Sequence, residues 1–129
     1  MGFSGELAGT LDFTRARAVT DGRVYYFHFS RGKNEYWVTR EGETGEEPME
    51  GRLGRGQRLP EEIFLKRVEV EDGSGSYFEP VIRFFPRGSA DEAVVCLETS
   101  KGDKASIWVK PYTGRSQVVS GNNFSPKYY

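Results

Sequence analysis

The sequence predicts an α+β fold in which one N-terminal helix packs on about seven mostly antiparallel strands arranged in two sheets. Three observations support this prediction. The first 21 residues carry apolar side chains at helical spacing. From residue 23 onward the pattern changes to the two-residue period of strands. Glycine, at 16 of 129 residues, supplies the many turns that short strands need.

The composition excludes several classes of protein. A formal net charge of −1 gives no overall attraction for nucleic acid or anionic lipid. The one cysteine, Cys96, cannot form an intrachain disulfide, and the one histidine, His28, is too little for a zinc site of Cys and His ligands. No stretch approaches the roughly 20 consecutive apolar residues of a membrane span. Residues 1–129 are predicted to form one domain.

The predicted helix has one apolar face. Its members recur every three or four residues: Phe3, Leu7, Leu11, Thr14 and Ala18. Ser4 suits the N-cap position. After Asp21, Gly22 can adopt the left-handed conformation that ends a helix, so the helix should stop there.

Seven segments have the composition and alternation of strands. They are residues 23–30, 35–40, 63–70, 81–85, 92–99, 105–110 and 115–119. The first two should form a hairpin through the turn at 31–34. The alternation of the third breaks between Leu65 and Val68, which indicates a β-bulge. Residues 41–60, with five glycines, are predicted to be a long loop, and residues 120–129 a loosely attached tail.

Two proline–glycine turns punctuate the C-terminal half. In the segment 85–88, Pro86 sets its φ for the second turn position and Gly88 relieves the fourth. Pro111 and Gly114 have the same punctuation around residues 111–114. These four residues and Gly22 are therefore interpreted as structural turn residues.

The order of these motifs resembles a known family. Residues 84–89 have the form F-x-P-x-G-S, and residues 111–115 have the form P-x-T-G-R. Ahead of them lie the helix end Ala16–Ala18 and the Leu59–Pro60 pair before the third strand. In this order and spacing the chain resembles the GspH/FimT family of minor pseudopilins and minor pilins, over residues 7–119.

The resemblance implies a pilin-like fold and a structural role. Residues 1–21 would correspond to the C-terminal half of the long pilin helix, whose preceding half anchors the family in the bacterial inner membrane with this domain in the periplasm. The chain would then be a type II secretion pseudopilin without catalytic activity or cofactor. Its partners would be other pseudopilins or minor pilins of the same filament, with secreted cargo as a second class.

Two exposed segments are candidate partner-binding surfaces. Their residues are three arginines of the predicted loop and three aromatic residues of the tail: Arg52, Arg55, Arg58, Phe124, Tyr128 and Tyr129.

Other functions stay open at this stage. A minor pilin that binds DNA for uptake would use Arg115 and Lys127, although DNA affinity grows with the number of phosphates neutralised and this tail neutralises few. A soluble β-rich binding module is a further alternative. Glu69, Glu71 and Asp72 could offer oxygens to calcium, but their spacing is not that of an EF-hand loop, so a solvated turn is the preferred interpretation.

Overall fold

One long helix, one short helix and nine strands occur in the part of the chain that the structure, a computed structural model, describes: residues 2–71, 75–121 and 124–126. The helices are α1 (Gly2–Asp21) and α2 (Arg52–Arg55). The strands are β1 (Tyr25–Ser30), β2 (Glu35–Gly42), β3 (Gly45–Pro48), β4 (Gln57–Arg58), β5 (Ile63–Val70), β6 (Val81–Phe84), β7 (Ala93–Thr99), β8 (Lys104–Val109) and β9 (Ser116–Ser120).

The strands form two antiparallel sheets. The first has the order β3-β2-β1-β6, with β4 also paired to β2, and the second has the order β5-β7-β8-β9. Each of the seven predicted strands is present, which confirms the α+β prediction with one N-terminal helix and two sheets.

The prediction of a long loop over residues 41–60 is wrong for most of that segment. Strand β2 runs on to Gly42, β3 returns from Gly45, and α2 and β4 follow. The charged strand β3 is stabilised by ion pairs rather than by an apolar face: Glu47 lies 3.1 Å from Arg23 and 3.0 Å from Arg40. Alternation could not reveal it because an edge strand exposed on both faces needs no apolar period.

Helix α1 contacts strands of both sheets through the predicted face. Leu7, Leu11, Thr14 and Ala18 are fully buried, and Phe3 packs partly against the core. Ser4, expected as the N-cap, lies inside the helix and is buried, because α1 already begins at Gly2. One face of the helix is therefore packed against both sheets, and the opposite face stays exposed.

The predicted bulge is confirmed in β5. The register against β7 shifts between Leu65 and Arg67. Leu65 and Val68 are three residues apart, so a regular strand would place them on opposite faces. The extra residue lets both side chains reach the core, where both are buried.

Helix α1 ends as the sequence predicts. Gly22 has φ 66°, and the N–H groups of Gly22 and Arg23 both donate to the Ala18 carbonyl, at 3.0 and 3.3 Å. The buried Tyr25 hydroxyl donates to the Asp21 carboxylate, and Arg17 adds a bond of 3.2 Å. The hydrogen bond from Tyr25 lowers the pKa of Asp21, with burial opposing it and Arg17 adding to it.

Replacing Tyr25 with phenylalanine should remove stability in a pH-dependent way. Because the Asp21 pKa is lowered in the folded chain, its contribution is complete above the ordinary value of 3.8 and is lost as the pH falls below it. We expect the melting temperatures of wild type and Tyr25→Phe to differ near neutral pH and to converge in acid. Tyr26→Phe is the matched control, since its hydroxyl bonds no carboxylate among the described residues. A difference that does not change with pH would contradict the assignment.

Candidate functional site

The two proline–glycine turns differ slightly from each other. In the first turn (Phe85–Gly88), the N–H of Gly88 donates to the Phe85 carbonyl at 2.9 Å, as in a four-residue β-turn. In the second turn (Lys110–Gly114), the N–H of Gly114 donates to the Lys110 carbonyl at 2.8 Å, so the turn is one residue longer. Both glycines have positive φ, 99° and 67°. At both positions a side chain would be strained by the backbone angle.

The two turns lie against each other. The N–H of Ala90 donates to the Pro111 carbonyl at 2.9 Å. A Cβ placed on Gly114 would lie 2.3 Å from the Gly88 carbonyl oxygen. Glycine is thus required at 114 both by its φ and by the close approach of a second backbone.

Helix α1 holds both turns through two side chains. The Arg15 Nε donates to the Gly88 carbonyl at 3.1 Å and to the Thr113 carbonyl at 2.6 Å. One helical turn earlier, Asp12 Oδ1 accepts a bond of 2.8 Å from the Ser116 N–H. The sequence pattern could not reveal these bonds of Arg15, because its partners lie 73 and 98 residues away along the chain.

An ion pair between Arg83 and Asp91 closes the base of the first turn. Arg83 Nε and Nη2 donate to the Asp91 carboxylate at 2.8 and 2.9 Å, and the Arg83 N–H donates to the same group at 2.9 Å. Asp91 is buried. This bidentate pair fixes the chain on either side of the turn.

Substituting Gly114 with alanine should destabilise the fold by about 1–3 kcal/mol, because the new Cβ meets a backbone oxygen at a positive φ. Gly5→Ala in α1 is the control: nothing lies within 4 Å of its Cβ position, and alanine should raise helix stability by up to about 1 kcal/mol. Urea unfolding of both variants measures the difference. Equal stabilities would show that the turns do not need the close approach.

Substituting Arg15 with methionine should cost about 1.5–3 kcal/mol, since two turn carbonyls lose a charged donor. Arg17→Met is the control, because the half-exposed pair of Arg17 with Asp21 four residues on is worth roughly 0.5 kcal/mol or less. Chemical denaturation compares the two. Similar losses in both variants would contradict a special role for Arg15.

A groove beside α1 is the candidate functional site. It has a volume of about 430 Å³ and lies between α1, the start of β2 and the α2–β4 segment. We call it the α1 groove; its lining residues are Glu6, Gly9, Thr10, Phe13, Tyr36, Arg52, Leu53 and Gln57. Phe13 is the main apolar side chain left open, at 48% exposure. An aromatic side chain half exposed in a groove is typical of a protein-binding surface.

The lining of the α1 groove includes one acidic and one basic side chain, Glu6 and Arg52. Burial raises the pKa of Tyr36, the Glu6 carboxylate adds to this rise, and the Arg52 guanidinium opposes it. Glu6 and Arg52 therefore act on the same ring from the helix side and the α2 side. A partner segment would find an apolar floor with one anion and one cation at its rim.

The solvent face of α1 beside the groove carries several small and apolar residues among polar ones such as Asp12 and Thr20. Gly2, Gly5, Gly9, Phe13 and Val19 are exposed along it. A Cβ on any of the three glycines would meet nothing within 4 Å, so this face is open. Small residues let a second backbone approach a helix closely.

The structure brings some of the predicted partner residues together. Arg52 lines the α1 groove, and Arg55 and Arg58 are exposed farther along the same segment. Arg58 lies opposite Glu35 in the sheet. Of the three arginines only Arg52 lines the groove, and the part of all three in binding stays a prediction.

The tail residues have a different placement. The Phe124 ring packs on Trp108, with 5.4 Å between ring centroids, and its carbonyl accepts a bond of 3.1 Å from Arg67. Tyr128, Tyr129 and Lys127 lie outside the described residues. Arg115 is exposed next to the second turn.

The side chains of His28 and Cys96 are both occupied by contacts with neighbouring strand residues. His28 Nε2 lies 2.9 Å from both Thr39 Oγ1 and Glu46 Oε1 and stacks on Trp37. Cys96 is buried, with its Sγ 3.1 Å from Ser106 Oγ. Within residues 2–71, 75–121 and 124–126 no cluster of His, Cys, Asp or Glu is placed to hold a metal. Asp72 of the weighed calcium site lies outside these ranges.

Neither helix of the described residues combines the length and apolarity needed to cross a membrane.

Comparison with known proteins identifies the class of fold. Two solved structures of the minor pseudopilin EpsH from the type 2 secretion system of Vibrio cholerae superpose on almost the whole chain. One has a TM-score of 0.69 at 8% identity and covers 90% of this chain and 92% of its own. The other has a TM-score of 0.71 at 9% identity and covers 94% and 93%. No protein-family model and no curated protein matches the sequence.

The chain therefore has the pilin-like α+β fold of the minor pseudopilins. This similarity confirms the resemblance predicted from the turn motifs at the level of the fold. At 8–9% identity it is a similarity of architecture alone.

Proposed function

We propose that this protein is a minor pseudopilin of a type II secretion system, a non-catalytic subunit that assembles with other pseudopilins in the periplasm. The observation that carries the proposal is the fold similarity to EpsH over at least 90% of both chains. The agreement of two turn motifs with the GspH/FimT pattern supports it independently of the overall superposition.

The proposed mode of assembly uses the open side of α1. One side of the helix is occupied by the two sheets, and the other presents the glycine-rich face and the α1 groove. A neighbouring subunit would place an apolar side chain on Phe13 and a polar rim against Glu6 and Arg52. Such a contact resembles the apolar centre and polar rim of protein interfaces.

A structural role also fits the polar groups of the fold. Arg15, Asp91 and His28 are each held by bonds within the chain. Catalysis requires convergent groups at an accessible pocket, whereas these side chains bind carbonyls, a guanidinium and strand residues. Secreted cargo is a second class of partner under this proposal, on surfaces other than the α1 groove.

Replacing Phe13 with serine should weaken binding to the soluble domain of a neighbouring pseudopilin. Loss of a central aromatic anchor costs about 2 kcal/mol or more, which corresponds to roughly a 30-fold weaker Kd. Arg52→Glu should weaken the same interaction. Isothermal titration calorimetry measures both. Phe64→Ser is the matched control, because Phe64 on β5 is 46% exposed and does not line the groove.

Two results would contradict the proposal at different levels. Unchanged partner affinity in a folded Phe13→Ser variant would remove the α1 groove from the interface. Normal export of secreted proteins in cells lacking this protein would remove the secretion role itself.

A further inference from the structure

Two neighbouring aromatic side chains project from the connection between β5 and β6. Tyr77 is 69% exposed and Phe78 is 66% exposed. Their rings meet edge to face, with centroids 5.1 Å apart. We call Tyr77, Phe78 and the adjacent turn residues Arg31 and Lys33 the aromatic patch.

The backbone imposes this exposure. The Ser76 N–H donates to the Glu79 carbonyl at 3.1 Å, and the Ser76 hydroxyl accepts a bond of 3.1 Å from the Glu79 N–H. The Arg31 N–H donates to the Phe78 carbonyl at 2.9 Å. The turn is thus held at both ends, so the aromatic rings are presented to solvent by an ordered backbone.

Positive charge lies next to the rings. The Arg31 guanidinium lies 4.2 Å from the centroid of Tyr77, and its Nη2 donates to the Lys66 carbonyl at 2.7 Å. Lys33 is exposed on the same turn. Among the described residues neither Arg31 nor Lys33 forms an ion pair. Glu79 is the one carboxylate of residues 75–80, and Glu71 lies at the far end of the same connection, so the two cations Arg31 and Lys33 face a single carboxylate next to the rings.

The patch lies toward the end of the domain at which α1 begins. Strand β1 starts beside the end of α1, where Tyr25 contacts Asp21. Near the other end of β1, Phe29 is paired with Tyr36, which lines the α1 groove beside Glu6. Arg31 of the aromatic patch comes directly after Ser30, the last residue of β1, and its N–H binds the Phe78 carbonyl. The patch therefore continues from the end of β1 that lies near Glu6. Under the proposed function, α1 is preceded at this end by the membrane-spanning half of the pilin helix.

We propose that the aromatic patch docks on an anionic lipid surface. Tyr77 and Phe78 would enter the headgroup boundary, where aromatic side chains are favoured. Arg31 and Lys33 would lie against the lipid phosphates. The orientation of the patch toward the membrane rests on the proposed function. Side chains this exposed project outward rather than line a groove, which suits a lipid boundary better than a concave protein site.

The test is co-flotation of the 129-residue chain with vesicles. One set contains phosphatidylcholine alone and the other contains equal parts of phosphatidylcholine and phosphatidylglycerol. We expect binding to the anionic vesicles, weakening as salt is added. Lys33→Gln should reduce the partition coefficient by about fivefold, which is the effect of roughly 1 kcal/mol per basic residue near an anionic surface.

The variants decide whether the patch is responsible. Tyr77→Ser combined with Phe78→Ser should abolish flotation while leaving the melting temperature unchanged. Tyr112→Ser is the control, since Tyr112 is 93% exposed in the second turn, away from the patch. Absence of flotation with anionic vesicles, or flotation that the double variant retains, would overturn the proposal.

Two further outcomes assign the patch to another occupant. If the double variant weakens binding to a pseudopilin domain and the wild type does not float, the patch is a protein interface. If it abolishes self-association of the wild type, the patch joins two copies of the chain. Either result overturns the lipid proposal. The titrations of Phe13→Ser and the secretion assay are independent of vesicles, so the proposed function can stand when the lipid proposal fails.

Discussion

The guanidinium of Arg15 is the constraint on which the rest of the arrangement depends. It reaches from the middle of α1 to two carbonyls, one in each proline–glycine turn. Hydrogen bonds from a charged donor are stronger than those between neutral groups, and these two carbonyls are brought together by a backbone contact that only Gly114 permits. The first turn follows β6 of the first sheet, and the second turn connects β8 and β9 of the second sheet. Arg15 therefore joins α1 to both sheets at one point.

A long-range side-chain contact to the backbone also covers β5, an edge strand of the second sheet. Asn34, with φ 54°, lies in the turn between β1 and β2. Its side-chain amide donates to the Ile63 carbonyl at 2.6 Å and accepts from the Leu65 N–H at 3.0 Å. A side chain thus occupies the place of a neighbouring strand, which blocks edge-to-edge pairing at β5. Long-range polar contacts, as well as apolar burial, join the two sheets.

The different demands on core residues and turn residues explain how this fold is shared with proteins of 8–9% identity. The core accepts many apolar side chains of similar volume, whereas the turns require particular backbone angles. One face of α1 is buried against the two sheets, and the exposed face with the α1 groove is the surface proposed for assembly. The exposed residues proposed for function, such as Phe13 and Arg52, are consequently separate from the polar contacts that hold the turns, whereas Tyr36 of the α1 groove also belongs to the core.

The sequence by itself determined the helix, the seven principal strands, the bulge in β5 and the glycine turns, because each depends on local periodicity or on one residue's backbone freedom. It did not reveal β3, which is exposed on both faces, or the tie of Arg15 to Gly88 and Thr113. Arg52 was selected as a loop cation, but only folding placed it beside Phe13. The groove and the sheet order arise from contacts between distant segments, which no local pattern encodes.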